Sequence, residues 1–173
     1  MERIASGDQA AWRGLCDRLL PRALTLAKRL LHQDQEAEEV TWEAFSRLWQ
    51  QAPSWQPLAR IDTWLYRVIH NLAMDRLRNR REWSPLEMAE EEEDTAPSPL
   101  QHLLTADRQR QVRQALANLP LRQREAITLI HFLDVGVQQA CGVMQVGREA
   151  LESLLARGRR KLRSQLASLK EDC

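Results

Sequence analysis

The sequence predicts an all-α chain of two small helical domains joined by a flexible acidic linker. Three observations carry that expectation. Apolar residues such as Trp64, Leu65, Val68, Leu72 and Leu77 recur in a helical stripe rather than a strand alternation. Charge is divided along the chain: residues 1–83 hold 13 basic and 11 acidic side chains, residues 84–111 hold 2 and 7, and residues 112–173 hold 10 and 6. The acidic middle also contains Pro85, Pro97, Pro99 and the run Glu90-Glu91-Glu92-Glu93-Asp94, with little periodicity. The expected division is therefore a first domain at 1–83, a linker at 84–106 and a second domain at 107–173.

Charged residues make up 28% of the chain, which suits well-solvated helical surfaces. Arg outnumbers Lys 22 to 3; a planar fork suits phosphates and guanine edges, although high-GC codon usage gives the same bias. Cys16, Cys141 and Cys173 are odd in number and far apart, with no metal-ligand spacing. They read as two buried small apolar thiols and one free tail thiol, which fits a reducing cytoplasm. No apolar run has membrane-spanning length and no signal-peptide pattern opens the chain, so a cytoplasmic protein that is not itself a membrane protein is expected.

Asp8 is placed to cap a helix carrying Ala11, Trp12, Leu15, Leu19 and Leu20. Pro21 either kinks this helix or separates it from the stripe Leu24, Ala27, Leu30 and Leu31. Asp34 is the expected cap of the next helix, with Glu36, Glu38 and Glu39 in its first turn, where the macrodipole favours anions. Val40, Ala44, Phe45, Leu48 and Trp49 follow. Pro53 and Pro57 mark a loop over 51–61, after which Asp62 is the expected cap of a basic helix. That helix spans 64–81, with Arg67, Asn71, Arg76 and Arg78 on one face, Arg80 and Arg81 at its end, and Asp75 its sole acid. Such a face suits a nucleic-acid strand, or is simply the solvated side of a core helix.

Trp64, Leu65, Tyr66, Arg67, Val68, Asn71, Asp75 and Arg78 form W-L-Y-R-[IV]-x-x-N-x-x-x-D-x-x-R. This resembles the segment of bacterial sigma factors that melts and reads the promoter's minus-ten element, most closely in the short extracytoplasmic-function (ECF) group of the sigma-70 family. Other stretches extend the resemblance. Glu38, Glu39, Glu43, Phe45 and Trp49 fit the family's polymerase-binding helix, E-D-x-x-Q-E-x-F-x-x-x-W, with Trp42 in place of Gln. That implies core-polymerase contacts by Glu38, Glu39, Trp42, Glu43, Phe45 and Trp49; the alternative is a core helix with an acidic outer face. Trp is enriched at interface hot spots, which favours contact. The loop before the basic helix captures a flipped base in the family, implying stacking by Trp55 and a phosphate contact by Arg60, unless Trp55 only plugs the core. The resemblance thus implies minus-ten contacts by Trp55, Arg60, Arg67, Asn71, Arg76, Arg78 and Arg80. The linker enters the polymerase's RNA-exit path in the family, or is here a plain spacer.

From Asp107 the chain turns helical again, with Val112, Ala115, Leu116 and Leu119 in one stripe. Pro120 suits the first turn of a helix carrying Ala126, Ile127, Ile130 and Leu133. Ala115 to Ala126 resembles the family's A-L-x-x-L-P-x-x-x-R-x-x, with Arg124 on the family Arg. Residues 137–144 and 148–166 fit a helix-turn-helix, so the second domain is expected to read the minus-thirty-five element. A recognition helix needs an apolar back and a polar end for base edges. Arg148, Glu149, Glu152 and Ser153 occupy that end, while Arg157, Arg159 and Arg160, with Lys161 and Arg163, suit phosphates. Gly136 and Gly147 stand where the family has Ser or Thr caps, and Gly142 inside a helix costs ~1 kcal/mol relative to Ala.

The resemblance implies a non-enzymatic specificity subunit that binds core RNA polymerase and promoter DNA and is itself held by an anti-sigma factor, often membrane-bound. The alternative is a helix-turn-helix repressor or activator acting without polymerase, which leaves the Trp-rich first half unexplained. An enzyme is disfavoured: no nucleophile arrangement, phosphate loop or metal cluster is present, and His32, His70, His102 and His131 are scattered. No catalytic residue, metal or cofactor is expected.

Overall fold

The computed structural model describes residues 1–83 and 111–171, all of whose regular elements are helical. The expected linker at 84–106 lies outside the described residues, as do His102 and Cys173. A short helix α1, Glu2–Ala5, turns at Gly7, whose φ of +84° is easy only without a Cβ. Helix α2, Gln9–Leu31, starts as expected: the Asp8 carboxylate accepts from the Ala11 N–H at 2.9 Å. That bond, then the Arg3 guanidinium, holds its carboxyl below the usual carboxylate range. Pro21 neither breaks nor divides α2, which runs through it. Pro21 and Asp17, whose carbonyl loses its helical partner there, are both exposed, so water can satisfy the freed acceptor.

Helix α3 spans Asp34–Gln51, and here the expected cap is corrected. Gln33 is the capping residue and makes no side-chain cap bond, while Asp34 is already in the first turn and pairs with Lys28 at 3.0 Å. A 3-10 turn, Ala52–Ser54, leads into the loop, and helix α4 covers Ile61–Trp83. Asp62 also lies inside its helix rather than at the cap, accepting from the Thr63 N–H at 2.7 Å. Helices α2, α3 and α4 pack on one another around Leu26, Leu30, Val40, Leu48, Leu65 and Ile69, all without solvent exposure.

The second group begins with helical residues 111–117, α5. Pro120 is the N-cap of α6, Leu121–Ile127, which passes into a π-helical turn at Thr128–Phe132. The single continuous helix expected over Ala126 to Leu133 is therefore modified: the wider turn shifts the later side chains around the axis. Helices α7, Val137–Met144, and α8, Arg148–Glu171, form the helix-turn-helix. Gly136 starts α7, and the Gln139 side chain accepts its N–H at 3.3 Å. Gln145, at φ 54°, ends it in the left-handed region. Cys16 and Cys141 are free thiols that are half-buried rather than buried as expected, each lying at the margin of its helix's apolar stripe.

Gly158 lets α8 lie close to α6. A Cβ there would sit 3.1 Å from Ile127 Cγ1, whereas one at Gly142 would meet nothing within 4 Å. Gly158→Val is expected to destabilise the fold by ~1–3 kcal/mol through overpacking. Gly142→Ala should stabilise it by ~0.5–1 kcal/mol. Urea unfolding of both variants checks this, and equal midpoints would remove the close approach as a packing constraint.

Candidate functional site

Helix α3 buries Ala37, Val40, Thr41, Ala44, Phe45 and Leu48, an inward stripe that turns the remaining positions outward. Glu38 and Glu39 are exposed, Glu43 is half-buried beside Arg47 at 2.6 Å, and Trp42 is 74% exposed. Trp49 is 41% exposed, its ring edge-on to Trp12 at 5.0 Å. Phe45 departs from its expected role. It is 3% exposed and packs edge-on to Trp12 at 6.1 Å, so it holds the helix to the core instead of facing a partner. It falls on the same side of the helix as Thr41 and Leu48, one turn to either side.

The basic side of α4 holds Arg67, Asn71 and Arg78 exposed, with Arg76 and Arg80 half-buried. Several of these cations already have partners. Arg76 pairs with Glu39 at 2.9 Å, Arg80 with Glu36 at 2.6 Å and Gln33 at 3.0 Å, and Arg78 with Asp75 at 2.7 Å. The acids of α3 therefore neutralise part of the cationic face of α4, a link that periodicity along one helix does not reveal. Arg60 is paired with Asp62 at 2.9 Å. Burial pushes the Asp62 carboxyl up, but Arg60 and the Thr63 N–H outweigh it and leave it below its ordinary value.

Trp55 is half-buried, edge-on to Trp64 with ring centres 5.7 Å apart. It is thus part plug and part open surface. Next to it Leu58 is 88% exposed, a residue not singled out from the sequence because one Leu in a proline-containing loop has no periodic signature. Beneath the loop a cleft of about 1030 Å³ opens between α1, α2 and the start of α4, with Trp55, Pro57, Arg18 and Arg60 in its wall. It too escaped sequence reasoning, because its walls come from segments some fifty residues apart.

On α8, Leu151 and Leu155 are buried, and Arg148, Glu149, Glu152 and Ser153 are exposed at the N-terminal end. Arg148 and Glu152 pair at 2.8 Å, and that carboxylate raises the guanidinium pKa. Arg157, Arg159 and Arg160 are exposed further along the helix, with Arg157 bonded to the Ser153 carbonyl at 3.3 Å. The arrangement is an apolar back, a mixed polar end and a cationic flank. Among the described residues no group of His, Cys, Asp and Glu is placed to hold a metal ion, and no helix is long and apolar enough to cross a membrane.

Two family models match the chain: Sigma-70 region 2 over residues 15–82 and Sigma-70, region 4 over residues 109–162. RNA polymerase sigma-H factor of Pseudomonas aeruginosa is 30% identical, with 98% of this chain and 93% of that protein covered. The ECF RNA polymerase sigma factor SigW of Bacillus subtilis is 26% identical, with 98% and 96% covered. The fold is similar to the sigma factor RpoE solved with the anti-sigma factor NepR from Bartonella quintana, at a TM-score of 0.74 and 21% identity over 91% of this chain and 97% of that one. It is also similar to CnrH solved with the cytosolic domain of CnrY, at 0.69 and 23% identity over 96% and 94%. With both regions matched in order, and a relative at this identity aligned nearly end to end, the chain belongs to the ECF group of the sigma-70 family of RNA polymerase sigma factors.

Proposed function

We propose that this sigma factor, a non-enzymatic subunit that brings core RNA polymerase to promoters, divides its work among three faces. The outer face of α3, centred on Trp42 with Glu38, Glu39, Glu43 and Trp49, docks on a cationic surface of the polymerase. The basic side of α4 and the loop before it, through Arg67, Asn71, Arg76, Arg78, Arg80, Trp55 and Arg60, hold the minus-ten strand. The N-terminal end of α8, through Arg148, Glu149, Glu152 and Ser153, reads minus-thirty-five bases, while Arg157, Arg159 and Arg160 contact phosphates. Residues 1–83 and 107–173 serve as the two gripping domains, with 84–106 as their tether. Two modest DNA affinities joined by a tether add as an effective concentration.

The observation that carries this reading is Trp42, 74% exposed among acids on a helix whose opposite side is core. A Trp this exposed leaves a large apolar area in water unless a partner covers it. The protein works in the cytoplasm, where its polymerase is, and an anti-sigma factor holds it in reserve, as the solved relatives named with such partners suggest. Run-off transcription with core polymerase tests the whole. A promoter-specific transcript is expected, whereas a helix-turn-helix repressor would give none.

Glu152 supplies a sharper prediction. A carboxylate in the major groove accepts from a cytosine amino group. Glu152→Ala is expected to change preference at one or two minus-thirty-five positions by ~1–3 kcal/mol each. A binding selection that returns the same motif for both proteins would remove Glu152 from base reading.

A further inference from the structure

One face of α2 lines the cleft beneath the proline-containing loop, through Ala11, Leu15, Arg18, Leu19 and Arg22. At about 1.5 Å per residue, that face is roughly 16 Å long. Helix α1 packs on both α2 and the 3-10 turn, so it closes one side. The volume of about 1030 Å³ stands at the upper end of the roughly 300–1,000 Å³ usual for ligand pockets.

The wall is cationic, with Arg3, Arg18, Arg22 and Arg60 against two acids, Glu2 and Asp62. Arg3 is held by Asp8, and Arg60 by Asp62. Arg22 gives one nitrogen to the Leu133 carbonyl, and Arg18 is exposed with no hydrogen-bond or ion-pair partner among the described residues. Arg18 and Arg22 stand one turn apart on α2, and planar guanidinium forks suit phosphate oxygens.

Tyr66 of α4 reaches the same place. It is 1% exposed, and its hydroxyl has no hydrogen-bond partner among the described residues. Burial raises its pKa, so it stays a neutral donor, and the charges close enough to act on it are Arg22, Asp62 and Arg60, all in the cleft wall. A buried hydroxyl without a partner costs free energy, which an acceptor entering the cleft would remove. Trp55 is the aromatic part of the wall, its ring set edge-on to Trp64. Such a ring is a platform for any base. Tyr66 and Asp62 share one side of α4, whereas Arg67 and Asn71 lie about 100° and 140° round the helix from Tyr66. The cleft is therefore distinct from the side proposed for the minus-ten strand, although Trp55 and Arg60 border both. A continuous strand needs an entrance and an exit, so a side closed by α1 favours a free molecule.

We propose that this cleft binds a free nucleoside triphosphate, its phosphates held by Arg18, Arg22 and Arg60 with the Tyr66 hydroxyl, and its base against Trp55.

Isothermal titration of the full chain with ATP and with GTP tests the site. At least one nucleotide should bind, and inorganic tripolyphosphate, which has no base, should bind more weakly. Arg18→Glu should weaken the nucleotide by about tenfold or more. Arg13 is exposed on the same helix but outside the cleft, so Arg13→Glu changes the charge equally. It should weaken the nucleotide by less than about threefold. Tyr66→Phe keeps the packing, so the free chain should unfold at the same or a higher urea concentration while nucleotide affinity falls by about threefold or more. Unchanged affinity in that variant would take the hydroxyl out of the site. No binding of either nucleotide, equal losses in the two charge-reversal variants, or tripolyphosphate binding as tightly as the nucleotide overturns the proposal. So does an equally large loss of affinity for a single-stranded minus-ten oligonucleotide in Arg18→Glu but not in Arg13→Glu, which would give the cleft to the promoter strand. The nucleotide titrations involve neither polymerase nor DNA, so their failure is distinguishable from a failed run-off assay.

Discussion

Trp42→Ala is expected to weaken binding to core RNA polymerase by about 2 kcal/mol or more, roughly thirtyfold, while leaving the fold intact. The side chain is 74% exposed, so removing it opens no cavity. An exposed substitution of this kind usually moves stability by less than ~0.5 kcal/mol. Phe45→Ala is the informative contrast. That ring is 3% exposed against Trp12 and Trp12 also meets Trp49, so truncation should cost ~3–5 kcal/mol of stability and lower polymerase binding only through loss of fold. Fluorescence titration with core polymerase, run beside thermal unfolding, separates the two. Wild-type affinity in the Trp42 variant would move the docking face elsewhere on the molecule.

The second large effect concerns salt. Replacing Arg76, Arg78 and Arg80 with Ala should lower the slope of log affinity against log salt by about 2 for promoter binding by the holoenzyme, at ~0.7 per single-strand phosphate contact. Between 200 and 50 mM salt that removes roughly fifteenfold of the affinity gain. The pairing of Arg76 with Glu39 and of Arg80 with Glu36 adds a second arm. These pairs are partly exposed and each contributes at most ~1 kcal/mol. Glu36→Gln with Glu39→Gln should therefore raise binding of the isolated chain to a single-stranded minus-ten oligonucleotide by at most about fivefold per pair released, or about thirtyfold together. An unaltered salt slope in the triple Arg variant would take these side chains off the DNA.

Much of the fold was legible because helices are specified locally. Asp8 caps α2 as its side-chain chemistry suggests, and residues 137–144 form α7 within the bounds that the apolar spacing implies. The misplacements are also local in origin. Asp34 and Asp62 have capping chemistry, yet Asp34 is already the first residue of α3 and Asp62 the second of α4, where it is held by Arg60 and Thr63. The outward positions of α3 could be read from periodicity, but Phe45 could not be separated from Trp42 and Trp49 by a motif that contains aromatics on both sides of the helix.

Residue spacing and charge along the chain specify which segments are helical, that an acidic stretch divides two basic ones, and which side chains could meet nucleic acid, because these are properties of neighbouring residues. Which of those side chains are free to act depends on how the helices pack. Glu36 and Glu39 reach Arg80 and Arg76 across more than thirty intervening residues, and Glu125 meets His70 across the two groups. Such pairings depend on how helices cross, and crossing is set by the summed packing of distant apolar surfaces, which no single stretch of chain encodes.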